Sequence, residues 1–262
     1  YAPTITSQPQ GFEDANALTY ANIGTDKKLS VETNADENEY IVTYQWYKNT
    51  TNSKDGAVAI GTEKDLAIEN GLNAGDYYYY CKITVTRKDN GESTSVDTDL
   101  VKVTVNKATV AVPTAASKVY TGSTLKADIS ETADYTVTTN NGGITVGQYD
   151  VVLNLKDSAN YKWSDGTETA AKTIKFEIKK ATPVVTAPVA KASLIYNTSA
   201  LALADEGSTT GGTMQYSLDG TTWSNDIPTG TNAGDYTVYY KVVGNSNYNG
   251  VEAQSIAVSI AN

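Results

Sequence analysis

A five-residue phrase occurs three times in this chain, and each time it opens a stretch of alternation. The copies are Asn73-Ala74-Gly75-Asp76-Tyr77, Thr145-Val146-Gly147-Gln148-Tyr149 and Asn232-Ala233-Gly234-Asp235-Tyr236. The first leads into Tyr77, Tyr79, Cys81, Ile83 and Val85, with Tyr78, Tyr80, Lys82, Thr84 and Thr86 between them. The second leads into Tyr149, Val151, Leu153 and Leu155, the third into Tyr236, Val238, Tyr240 and Val242. A period of two is that of a half-buried β-strand, and the glycine suits the tight turn that enters it. Each phrase tyrosine is in phase with the apolar face. It is therefore expected to pin the fold, and the outward residues one step out of phase are the ones left to meet a ligand. Three such openings predict three related β-domains in a row.

Composition supports the strand reading. There are 19 Tyr against 2 Phe and 3 Trp, and β-branched and aromatic residues favour pleated surfaces. With 40% hydrophobic and 19% charged residues the chain is globular, and 262 residues are enough for several cores. The net charge of −10 argues against nucleic acid or anionic lipid as a partner. The acidic excess lies mostly in the first third, residues 107–179 are balanced, and the charge reads as solubility. A single cysteine, Cys81, allows no intramolecular disulfide, and its inward register makes it a small core residue. No apolar run is long enough to span a bilayer, so no membrane insertion is expected of this segment. The start at Tyr1-Ala2-Pro3, without Met, is that expected of a mature fragment whose partners include neighbouring domains of a longer chain.

Residues 1–106 carry the fullest pattern. Pro3 and Pro9 suit an edge segment. Lys28 to Glu32 alternates, Val42 to Lys48 places Tyr44 and Trp46 on one face, and Leu66-Ala67-Ile68 follows a polar loop. Leu100 to Val105 closes the set. Tyr44-Gln45-Trp46-Tyr47-Lys48, Leu66-Ala67-Ile68 and Ala74-Gly75-Asp76-Tyr77 together resemble the C, E and F strand signature of immunoglobulin domains. That resemblance implies a buried core Trp46 and a corner tyrosine at Tyr77. The first core cysteine is absent, with Leu29 or Val31 in its place, and Tyr79 stands where the second is expected.

Lys107-Ala108-Thr109 and Lys180-Ala181-Thr182 each follow an alternating strand and mark the joints. Between and after them the same order recurs. Val119-Tyr120-Thr121-Gly122, the Gly147 phrase and Ser158-Ala159-Asn160-Tyr161 are echoed by Ile195-Tyr196-Asn197-Thr198, the Gly234 phrase and Ser246-Asn247-Tyr248-Asn249-Gly250. This arrangement resembles the tandem immunoglobulin-like and MBG-type repeats of bacterial cell-surface and secreted proteins. The resemblance covers nearly the whole chain, and Tyr216-Ser217-Leu218-Asp219-Gly220-Thr221-Thr222-Trp223-Ser224 belongs to it. The expected fold is all-β, three tandem immunoglobulin-like β-sandwich domains end to end, at 1–106, 107–179 and 180–262. An extracellular location, on a cell surface or secreted, is what the resemblance implies.

The chemistry for catalysis is thin. There is no His, which removes the commonest general base and the Ser–His and Cys–His arrangements. One cysteine cannot build a structural zinc site, and the Asp219-Gly220 and Asp165-Gly166 turns lack calcium-loop spacing. Paired carboxylates such as Asp97 with Asp99 read as solvated surface charge. Gly142-Gly143 and Gly211-Gly212 are read as turn glycines. No catalytic residue, metal site or cofactor is assigned. The remaining binding chemistry is aromatic: Tyr78, Tyr80 and Tyr239 are outward on their strands and are the candidate ligand residues, with Trp163 and Trp223 in polar turns. The expected role is a monomeric, non-catalytic spacer, on the order of 100 Å if each domain is about 30 Å long. It would present neighbouring adhesive or carbohydrate-active modules. The alternative is an adhesin module that binds a host or dietary glycan or a protein through those tyrosines.

Overall fold

The computed structural model describes residues 2–262, and these form two compact units. The first takes in the described residues up to Val112, with Thr132–Thr136 and Asn154–Lys172. The second comprises Pro113–Glu131, Val137–Leu153 and Thr173–Asn262.

The first unit is built on one large sheet. Its strands run in the order Leu18–Thr19, Val101–Asn106, Gly75–Arg87, Tyr40–Asn49, Val58–Gly61, with Ser93–Asp97 also along Gly75–Arg87. Leu18–Thr19 lies parallel to Val101–Asn106, while the neighbours inside the sheet are antiparallel. Two short antiparallel pairs, Ile5–Ser7 with Glu32–Thr33 and Lys28–Leu29 with Leu66–Ala67, supply the facing layer. The apolar registers of both layers meet in one core of Leu29, Val31, Trp46, Tyr79, Cys81 and Ile83, packed beside Val103 and Val105. Trp46 is fully buried opposite Cys81, and its indole N–H donates to the Glu63 carbonyl at 2.8 Å. This is an immunoglobulin-like sandwich. Leu29 and Val31 fill the space of the missing first cysteine, and Tyr79 that of the second.

The outer sheet strand is interrupted at Thr98. That side chain is fully buried, its hydroxyl accepts the Cys81 N–H at 2.9 Å and donates to the Asp99 carbonyl at 3.1 Å. The kink keeps the ladder hydrogen-bonded where pairing passes from Ser93–Asp97 to Val101–Asn106.

The second unit holds one complete four-stranded sheet and the larger part of another. The complete one runs Leu194–Ile195, Val251–Ala261, Gly234–Val243, Thr213–Ser217. The other runs Lys118–Val119, Ala171–Lys179, Gly147–Leu155, Tyr135–Asn140. Both repeat the order of the first unit's sheet. In each the short first strand lies parallel to the chain's last strand of that sheet, as Leu194 does opposite Ile260 and Lys118 opposite Ile178. Leu203, Tyr216, Val238, Tyr240, Val258 and Ile260 form the core of the complete sheet, with its facing layer made of three two-stranded pairs.

All-β is thus the observed class. The alternating register holds residue by residue, since Val151, Leu153 and Leu155 are buried, as are Val238, Tyr240 and Val242. Lys28 to Glu32 is not one strand. It breaks into Lys28–Leu29 and Glu32–Thr33, which pair with different partners, because Leu29 and Val31 must both enter the core while the chain switches neighbours.

Candidate functional site

The repeated phrase forms the same small device three times. The Tyr77 hydroxyl donates to the Asn73 carbonyl at 2.8 Å, Tyr149 to Thr145 at 2.6 Å, and Tyr236 to Asn232 at 2.7 Å. Each is a tyrosine corner, in which the ring spans the turn and ties its strand to the backbone four residues upstream. The glycines hold φ of +151°, +156° and +144° at Gly75, Gly147 and Gly234, with no atom near the position a Cβ would take. Backbone conformation, rather than space, requires glycine there. Burial pushes the Tyr77 hydroxyl above its ordinary pKa, so it remains a donor.

Two of the three corners receive a loop. In the first unit the Asn160 side-chain oxygen accepts the Ala74 N–H at 2.9 Å, and its amide donates to the Asn73 side chain at 3.2 Å. The next residue, Tyr161, meets Tyr20 edge to face, with ring centroids 5.4 Å apart at 82°. The segment Ala108–Val110 runs parallel to Tyr161–Trp163, opened by the Ala108 N–H to the Asn160 carbonyl at 2.9 Å. In the second unit the Asn247 side-chain oxygen accepts the Val146 N–H at 3.1 Å. Tyr248 meets Tyr120 edge to face at 5.4 Å and 79°. Ala181 bridges Tyr248 in parallel, and its N–H donates to the Asn247 carbonyl at 3.0 Å.

The tyrosines on the receiving side are placed by the sheet. Tyr20, Tyr120 and Tyr196 each follow the short parallel strand and donate their N–H to the carbonyl ending the last strand, Asn106, Lys179 and Ala261 respectively, at 2.8–2.9 Å. On the incoming side, Asp157 and Asn245 shape the loops. The Asp157 carboxylate accepts from the Asn160 backbone and side chain at 3.2 and 2.9 Å, and Asn245 accepts the N–H groups of Asn247 and Tyr248, both at 2.9 Å. The Tyr248 ring lies where a Cβ on Gly211 would be, 2.2 Å from its nearest carbon, so Gly211 is a close-approach position as well as a turn residue.

The sequence-predicted aromatics lie elsewhere. Tyr80 sits directly opposite Tyr47 and stacks on it, centroids 4.9 Å apart at 12°, while the Lys54 ammonium lies 4.9 Å from the Tyr80 ring. Tyr78 is half-buried between Asn49 and Lys102 on the neighbouring strands. Tyr239, in the second unit, is half-buried between Ser217 and Ser255. Trp163 is fully buried, its indole N–H donating to the Ala170 carbonyl at 3.1 Å. Trp223 lies 4.2 Å beneath the Lys241 ammonium. Cys81 is fully buried, and burial pushes its thiol up to about 12, which leaves it protonated and inert. Asp219 accepts the Thr222 and Thr221 N–H groups at 2.7 and 2.8 Å and the Ser217 hydroxyl at 2.8 Å, which hold its carboxyl well below the usual range. Its ligands are thus its own turn.

Tyr20 was not legible as part of the loop–corner contact. Its signal is positional: Leu18-Thr19-Tyr20 holds the place of Lys118-Val119-Tyr120 and Leu194-Ile195-Tyr196, but the turns that follow differ.

The class defined by strand order, core tryptophan and tyrosine corner is the immunoglobulin-like β-sandwich. No protein family and no curated protein matches the chain. Among solved structures the chain is similar to the FN1–FN3 domains of chicken CNTN1, at 11% identity and a TM-score of 0.24, over 97% of this chain and 99% of that one. A superposition that loose carries no argument.

Proposed function

We propose that this chain is a non-catalytic structural segment, a run of immunoglobulin-like and MBG-type modules at 1–106, 107–179 and 180–262. Its work is to hold the modules against one another and so present neighbouring adhesive or carbohydrate-active domains outside a bacterial cell. The observation that supports this reading is the pair of loop–corner contacts, Asn160 on Ala74 and Asn247 on Val146. The residues repeated most faithfully are spent on one module gripping the next. A polar side chain that satisfies a backbone N–H at a joint restrains orientation, because the hydrogen bond fails if the loop moves by an ångström or two.

Glycan or protein binding through Tyr78, Tyr80 and Tyr239 is the rival. It has less support, since the Tyr80 ring is stacked on Tyr47 with Lys54 close by. The test is twofold. The chain should pass unretained over mucin and polysaccharide columns, and nuclear spin relaxation should give one tumbling time on both sides of each contact. Retention that is lost on Tyr78→Ala, or separate tumbling times across the Asn160 contact, would overturn the spacer reading.

A further inference from the structure

The third corner has everything the first two have except an occupant. Tyr236 closes it, Gly234 turns it, and the Ala233 N–H stands where Ala74 and Val146 are bonded, without a partner among the described residues. Tyr196 is set by the same hydrogen bond as Tyr20 and Tyr120. Those two are half-buried against Tyr161 and Tyr248, whereas Tyr196 is 45% exposed. An exposed aromatic and a backbone donor met by no other protein group here repeat the arrangement that an Asn-Tyr loop closes twice in this chain.

We propose that the face made by Tyr196 and the Asn232–Ala233 turn is a docking surface for a further β-module of this repeat type. The occupant is a module that presents an Asn-Tyr loop like Asn160-Tyr161 or Asn247-Tyr248. Its asparagine oxygen accepts the Ala233 N–H, and its tyrosine meets Tyr196 edge to face. The loops already in the chain are engaged at Ala74 and Val146, so the docking module is an additional one. The inference rests on the joint reading proposed above and adds the surface and the partner to it.

The experiment uses the full chain and a version extended after Asn262 by a second copy of residues 181–262, so that Asn262 takes the place of Lys180, with amide exchange read at Ala74, Val146 and Ala233. In the full chain Ala74 and Val146 are expected to be protected and Ala233 open. In the extended chain Ala233 protection should rise by about tenfold or more, toward that of Val146. Replacing by alanine the appended copy's counterpart of Asn247 should abolish the rise and leave Val146 unchanged. Open amides at Ala74 and Val146 in the full chain would defeat the joint reading itself. If those two are protected, an Ala233 that stays open beside a folded appended module defeats the docking proposal alone. An appended module that fails to fold defeats it too, because this face is held to receive and support such a module.

Discussion

The two loop–corner contacts share a plan and differ in weight. At the first, Asn160 is buried and makes two bonds to the corner, to the Ala74 N–H and to the Asn73 side chain. At the second, Asn247 is only half-buried and makes one, since Thr145 replaces Asn73. The first loop continues into a three-residue parallel ladder that ends on buried Trp163. The second has a single bridge, and Gly250 stands at the position of Trp163. The hydrogen bond and the tyrosine pair are common to both contacts. The ladder and the buried tryptophan are what the first contact adds.

The largest expected effect separates those two layers. Trp163→Ala should destabilise the first unit by about 3–5 kcal/mol, the usual cost of emptying a large buried aromatic. Chemical denaturation followed by the fluorescence of Trp46 and Trp223 would show it, and a loss under about 1 kcal/mol would mean the tryptophan is not what weights the first contact. Asn160→Ala should come next, at about 1–2 kcal/mol, because it removes a buried side chain that bonds the half-buried Ala74 N–H; Asn247→Ala should cost less. Exchange at Ala74 and Val146 reports each directly, and equal effects would erase the contrast. Replacing Tyr161 or Tyr248 by Leu should remove about 0.5–1.5 kcal/mol at either joint, the edge-to-face contribution being common to both. A clear inequality there would show that the aromatic pairs are not equivalent.

The smallest effect is electrostatic and belongs to the first unit. Asp165, in the turn after Trp163, is paired with Lys172 at 2.5 Å and bonded by the Thr167 N–H, which hold its carboxyl down at about 2. A depressed carboxylate stabilises the fold above its unfolded value of 3.8, and the contribution is lost as pH falls through about 2. The melting temperature should therefore drop across that window, and Asp165→Asn should flatten the drop. An unchanged acid limb in the variant would remove Asp165 from the account. Asp165 lies on the surface, so the effect is expected to be slight.

Much of the fold could be read from the chain because strands announce themselves locally. Period-two alternation places Tyr79, Cys81, Ile83, Val151, Leu153 and Val238 on the buried face, and phase alone marks Tyr77, Tyr149 and Tyr236 as pins. The candidate ligand tyrosines lie out of phase with the buried positions of their strands, but phase says nothing about neighbours across the ladder. Whether Tyr80 faces solvent or Tyr47 depends on which residue of another strand stands opposite it.

The sequence by itself determined which residues repeat and which way each faces, because both are set by spacing along one strand. Lys-Ala-Thr, Asn-Tyr and the Gly-Tyr phrase were visible as three recurring motifs with no evident connection. Only the tertiary structure decided that they meet: Asn160 reaches Ala74 across 86 positions, and Asn247 reaches Val146 across 101. Hydrogen bonds at such separation leave no periodicity to read, since the chain between them is free to be any length that lets the two ends close.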